Sequence, residues 1–63
     1  MIRIKYIFGE VVLLERLTDS PIPQKGNKVN IKDKRYEVQD VIFQENDKTD
    51  MYVTTHVLII LKE

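Results

Sequence analysis

Along the first eight residues, Ile2, Ile4, Tyr6 and Phe8 fall on one parity and Arg3 and Lys5 on the other. A period of two marks a strand with one buried face, because successive side chains of extended backbone point to opposite sides. Gly9-Glu10 follows as a tight turn, glycine being the residue that accepts a positive φ without strain. Residues 11–17 then run Val-Val-Leu-Leu-Glu-Arg-Leu. Alternation fails here: Val11 and Leu13 share one face, and Val12 and Leu14 the other. A short helix with Val11, Leu14 and Leu17 inward competes, but the segment's length and the turn before it favour a strand.

Both prolines, Pro21 and Pro23, fall between Thr18 and Gly26. Each lacks an N–H and pushes the residue before it toward extended backbone, which predicts a loop of polyproline character. Ile22 sits between them, placed to plug one end of a core. Residues 28–32 alternate again, Val29 and Ile31 against Lys28, Asn30 and Lys32. A hairpin turn at Asp33-Lys34 sets Ile31 opposite Tyr36 and Val29 opposite Val38. A turn shifted back to Lys32-Asp33 also fits. Beyond it, Tyr36 and Val38 are even while Val41 and Phe43 are odd. One extra residue at Gln39-Asp40, a β-bulge, returns the odd pair to the core face and bends the strand. Residues 45–50 read as an acidic turn. Residues 51–61 read as the last strand, with Met51, Val53, Thr55, Val57, Ile59 and Leu61 on one face.

Composition strengthens the strand reading. Eight Ile, seven Val and four Thr occur, and no alanine. Side chains branched at Cβ are stiff on a helix and pack well on a pleated surface. At 43% hydrophobic the chain is too apolar for native disorder. Sixty-three residues make one domain, 1–63, without internal repeat or linker. Five strands, one long loop and one bulge predict an all-β fold, a five-stranded antiparallel SH3-like small barrel.

Residues 22–41 read I-P-Q-K-G-N-K-V-N-I-K-D-K-R-Y-E-V-Q-D-V. At Pro23, Gly26, Val29, Ile31, Tyr36, Val38 and Val41 the stretch resembles the P-x-x-G-x-x-V-x-I…Y-x-V-x-x-V pattern of small, largely uncharacterised SH3-like barrel proteins of bacteria and their phages. Asp33 departs from it, standing where such proteins often carry a turn glycine. The resemblance covers about a third of the chain. It implies a fold, a binding or adaptor role and a phage or mobile-element origin. It implies no active site, since every matched position is a turn former or an inward apolar residue.

Candidate chemistry is sparse. Without cysteine there is no disulfide, thiolate metal site or cysteine nucleophile. His56, the only histidine, would need carboxylates as co-ligands, and Glu45, Asp47 and Asp50 lie in a turn rather than on a rigid scaffold. His56 therefore reads as an outward polar residue. Asp47, Lys48 and Asp50 lack the ligand spacing and central glycine of a calcium loop. Ser20 could formally join His56 and an aspartate, yet it precedes Pro21 in a loop without the strand-turn-helix setting that activates a serine. Asp40 merely occupies the bulge. A non-enzyme without metal or cofactor is expected. No apolar run approaches the roughly 18–20 residues of a membrane span, and Gly9-Glu10 interrupts the start before a signal-peptide core can form. A cytoplasmic protein with no membrane partner is expected.

Ten Lys and Arg balance ten Asp and Glu. The balance is local as well as global. The hairpin at 25–35 holds Lys25, Lys28, Lys32, Lys34 and Arg35 against Asp33 alone, and residues 37–50 are predominantly acidic. Lys28, Lys32, Lys34 and Arg35 are the candidate phosphate contacts, with Tyr36 or Tyr52 able to stack a base if outward. The pattern places Tyr36 inward, and the acidic return strand neutralises the basic one. Nucleic-acid binding is thus the second reading. The first comes from an apolar surplus: Val12 and Leu14 oppose Val11 and Leu13, and Leu58 and Ile60 oppose Val57, Ile59 and Leu61. A strand with one solvated face should carry polar residues there. Val12, Leu14, Leu58 and Ile60 are therefore the expected contact surface, for a two-fold homodimer or a partner protein. Association is also a usual remedy for a minimal core.

Overall fold

Five strands form where five were expected: β1 (Ile2–Phe8), β2 (Val11–Thr18), β3 (Lys28–Ile31), β4 (Lys34–Gln44) and β5 (Thr55–Lys62). These come from a computed structural model that describes residues 2–19, 21–44 and 55–63. The helix that competed for residues 11–17 does not form. The expected acidic turn at 45–50, the strand start at 51–54 and Ser20 lie outside the described residues.

The strands make one curled, half-barrel sheet in the order β2-β1-β5-β4-β3. Pairing is antiparallel at β1–β2, β4–β5 and β3–β4, but β1 and β5 run parallel, from Ile2↔Thr55 to Phe8↔Leu61. The expected all-antiparallel sheet is therefore corrected to a mixed one. The cause is the long proline loop, which carries the chain from edge strand β2 to the opposite edge at β3. The meander β3-β4-β5 then returns toward the middle, and β5 meets β1 running in the same direction. Among the described residues, β2 and β3 are the two ends of the sheet and do not pair with each other, so its edges stay open.

Turn chemistry sets the registers. Lys32 and Asp33 have φ of 52° and 67°, the positive pair of a type I′ hairpin. The ladder accordingly runs Ile31↔Lys34 and Val29↔Tyr36. The turn is the one shifted back by a residue, which replaces the expected Ile31–Tyr36 and Val29–Val38 pairs. A two-residue loop with both φ positive carries the right-handed twist of its strands, and this decides the register in spite of two non-glycine residues. At the loop's other end, Asn27 N–H donates to Gln24 O (3.0 Å) and Gly26 takes φ 92°, the glycine position of a type II turn. Gly26 N–H to Val38 O (2.9 Å) and Val38 N–H to Asn27 O (2.8 Å) fasten the loop to β4.

Two bulges shape the curl. In β4 the register passes from Val38↔Leu61 to Asp40↔Ile60, leaving Gln39 unpaired. This is the bulge expected from the parity change, and it turns Val41 and Phe43 to the side of Ile59 and Val57. Val41 packs on the core, but Phe43, expected there too, stays 56% exposed toward the end of β4. In β2 the register passes from Tyr6↔Leu14 to Ile7↔Val12, leaving Leu13 over. The concave side then holds the core: Ile4, Tyr6, Ile31, Tyr36, Val38, Val57, Ile59 and Leu61 are buried. Ile2, Phe8, Leu13, Ile22, Val29 and Val41 pack around it. Each fully buried aliphatic side chain contributes about 1.5–3 kcal/mol. The Phe8 and Tyr36 rings meet at 5.2 Å, and the Lys34 ammonium lies over both.

Candidate interaction face

Residues directly opposite each other on paired strands share a face, so the registers map the convex side of the sheet. One row reads Val12, Ile7, Ile60 and Asp40 across β2, β1, β5 and β4. The next reads Glu15, Lys5, Leu58 and Ile42, and the third Leu17, Arg3, His56 and Gln44. Val12, Ile7, Ile60, Leu58 and Ile42 thus adjoin in a single apolar strip. Val12 is 49% and Ile42 41% exposed, and Ile7, Leu58 and Ile60 are half-buried by their neighbours.

Three of the four residues expected at an interface, Val12, Leu58 and Ile60, meet in this strip. Leu14 does not. The bulge at Leu13 turns Leu14 to the side of Tyr6, where it is 39% exposed at the concave rim. Simple parity had set Leu14 beside Val12, and one inserted residue reverses it. Ile7 and Ile42 were missed. Both carried the signal that marked Leu58 and Ile60, an apolar residue on the polar parity of its strand.

Charges frame the strip. On one side Glu37 accepts a hydrogen bond from Lys28 and lies 3.3 Å from the Lys62 ammonium. These two cations, Lys28 foremost, hold its carboxyl below the usual carboxylate pKa. On the other side Arg3 donates to Glu15 at 2.8 Å, and this hydrogen bond lowers the Glu15 pKa. Lys5 and Asp40 border the strip and make no ion pair among the described residues, although the Lys5 ammonium also helps lower the Glu15 pKa. Asp40 accepts a hydrogen bond from the Val41 N–H at 2.9 Å, so the residue expected to fill the bulge also fastens it.

The basic hairpin is partly neutralised. Lys28 is paired with Glu37, and Lys34 bonds Glu63, which raises the lysine's pKa. Lys32 and Arg35 remain at the tip beside Asn30 and Asp33, lining a shallow polar hollow. Tyr36 points into the core, as expected, and offers no stacking surface; Tyr52 lies outside the described residues. His56 stands on the convex face between Arg3 and Gln44. Among the described residues, no group of three His, Cys, Asp or Glu could hold a metal ion, and no helix is long and apolar enough to cross a membrane. No family model, curated protein or solved structure matches this chain.

Proposed function

We propose that the chain is a non-enzymatic protein-interaction module that works through the convex face of its sheet, first by self-association and otherwise by docking on a partner protein. The carrying observation is the strip Ile7, Val12, Ile42, Leu58 and Ile60, an apolar surface on the side of the sheet opposite the core. Contiguous apolar surface on a small domain marks contact with another macromolecule. The face is favoured over the edges because both edges are blunted. β3 has four residues, and β2 carries a bulge and the charged pair Glu15-Arg16, all devices that discourage strand addition.

An SH3-like lineage of bacterial or phage origin is part of this proposal. The pattern over residues 22–41 and the curled five-strand sheet support it, and the parallel β1–β5 pair is the feature such a lineage must accommodate. A cytoplasmic setting is also part of the proposal.

Light scattering coupled to size-exclusion chromatography over a concentration series tests the proposal. The wild type should associate, and Leu58→Lys or Ile60→Lys should yield folded monomers. A strict monomer at every concentration removes the self-association, and unfolding by both variants makes those side chains core. A mobility-shift titration at two salt concentrations tests the competing use of Lys28, Lys32, Lys34 and Arg35. Affinity for nucleic acid that collapses steeply with salt would overturn the protein-binding reading.

A further inference from the structure

An inference that rests on the self-association reading comes from the layout of charge around the apolar strip. Lys5 lies on β1 opposite Leu58, and Asp40 lies on β4 opposite Ile60. The two therefore flank β5 from its two sides, one row apart, and the midpoint between them falls on β5 between Leu58 and Ile60. Among the described residues, Arg3, Glu15, Glu37 and Lys62 are engaged in ion pairs, whereas Asp40 makes none and Lys5 meets Glu15 only through its field across the β1–β2 pair.

We infer that the convex faces of two copies pack against each other about a two-fold axis crossing β5 between Leu58 and Ile60, at right angles to the Lys5–Asp40 line. Such an axis brings Lys5 of each copy onto Asp40 of the other. Two symmetric ion pairs then bracket an apolar centre of Leu58, Ile60, Ile7 and their images. A two-fold contact must be self-complementary. One patch with opposite charges on opposite flanks meets that requirement by itself, whereas a foreign partner would have to supply the matching pattern. Zero net charge removes any overall repulsion between copies. The ion pairs fix orientation more than they add affinity, as rim charges generally do.

Charge exchange tests this pairing. Lys5→Glu and Asp40→Lys should each weaken dimerisation about tenfold, since each reversal puts repulsion at two equivalent contacts. The double variant should return to within about threefold of the wild type. Asp40→Asn keeps an acceptor for the Val41 N–H, so weakening by this variant too separates charge from any disturbance of the bulge. Circular dichroism confirms that each variant is folded. If both reversals leave the dimer intact while Leu58→Lys abolishes it, the face is right and this pairing is wrong. If the double variant is weaker than either single, the pairing is also overturned. A wild type that never associates overturns the self-association reading itself.

Discussion

The central strand β5 is apolar on both faces, and the two faces have different fates. Val57, Ile59 and Leu61 are sealed beneath the curl, whereas Leu58 and Ile60 stand on the convex side with only their neighbours for cover. Local sequence does not separate them: the segment reads Val-Leu-Ile-Ile-Leu. What separates them is the rest of the chain. The bulges at Leu13 and Gln39 and the Ile22 loop fold over one side only. Of two similar surfaces, one becomes a core, and the other is left for whatever the protein meets.

Adjacent isoleucines give the sharpest way to break this comparison. Ile59→Ala should cost about 2–5 kcal/mol, because it opens a cavity in a site with no exposure. Ile60→Ala should cost less than half as much in dilute, monomeric protein, and urea denaturation measures both. Equal losses at low concentration would mean that the convex strip is a second core. At high concentration the gap should narrow, since a dimer adds its own burial to Ile60.

The turns allow a smaller test. Lys32 and Asp33 occupy two left-handed positions for which Asn-Gly is the preferred pair. Replacing them together, Lys32→Asn with Asp33→Gly, should raise stability by about 1 kcal/mol, because asparagine tolerates the left-handed region better than lysine and glycine bears no Cβ there. The convex face should be untouched, so thermal midpoint should rise at unchanged association. Loss of stability would place the hairpin in another register.

How far these features could be read from residues varies with their physical origin. Strand identity was legible because it depends on parity and branching, both local. The bulge at Gln39 was legible because it leaves a parity change, Val38 to Val41, that nothing else explains. The bulge at Leu13 left no such trace. In Val-Val-Leu-Leu every position is apolar, so a slip of one residue changes no letter of the pattern, and Leu14 was assigned to the wrong face. The parallel β1–β5 pair was invisible for another reason. Strand order depends on where the proline loop delivers the chain, and neither hydrophobic period nor turn type encodes a destination. The candidate face was legible in outline at Val12, Leu58 and Ile60. Its completion by Ile7 and Ile42 required the registers that join them.

Acid and base provide the gentlest probe of the two faces, because titration reaches the framing charges while leaving the apolar cores alone. Glu37 has its pKa lowered in the folded chain by Lys28 and then Lys62. A depressed carboxylate contributes stability that is present above its unfolded pKa and is lost as pH falls through the folded one. Lys34 has its pKa raised by Glu63, so its contribution is present below the unfolded lysine value and fades as pH rises through the folded one. Both pairs are solvent-exposed, and their effects on unfolding should be small and weaken further in salt. Association should respond differently. Salt should loosen the dimer before it loosens the fold, because the Lys5–Asp40 contacts between copies are screened while the buried core is not. Sedimentation and circular dichroism on the same salt series read the two processes separately. Coincident losses would tie the convex face to the core, whereas dissociation at the lower salt concentration would keep the two faces of β5 energetically distinct.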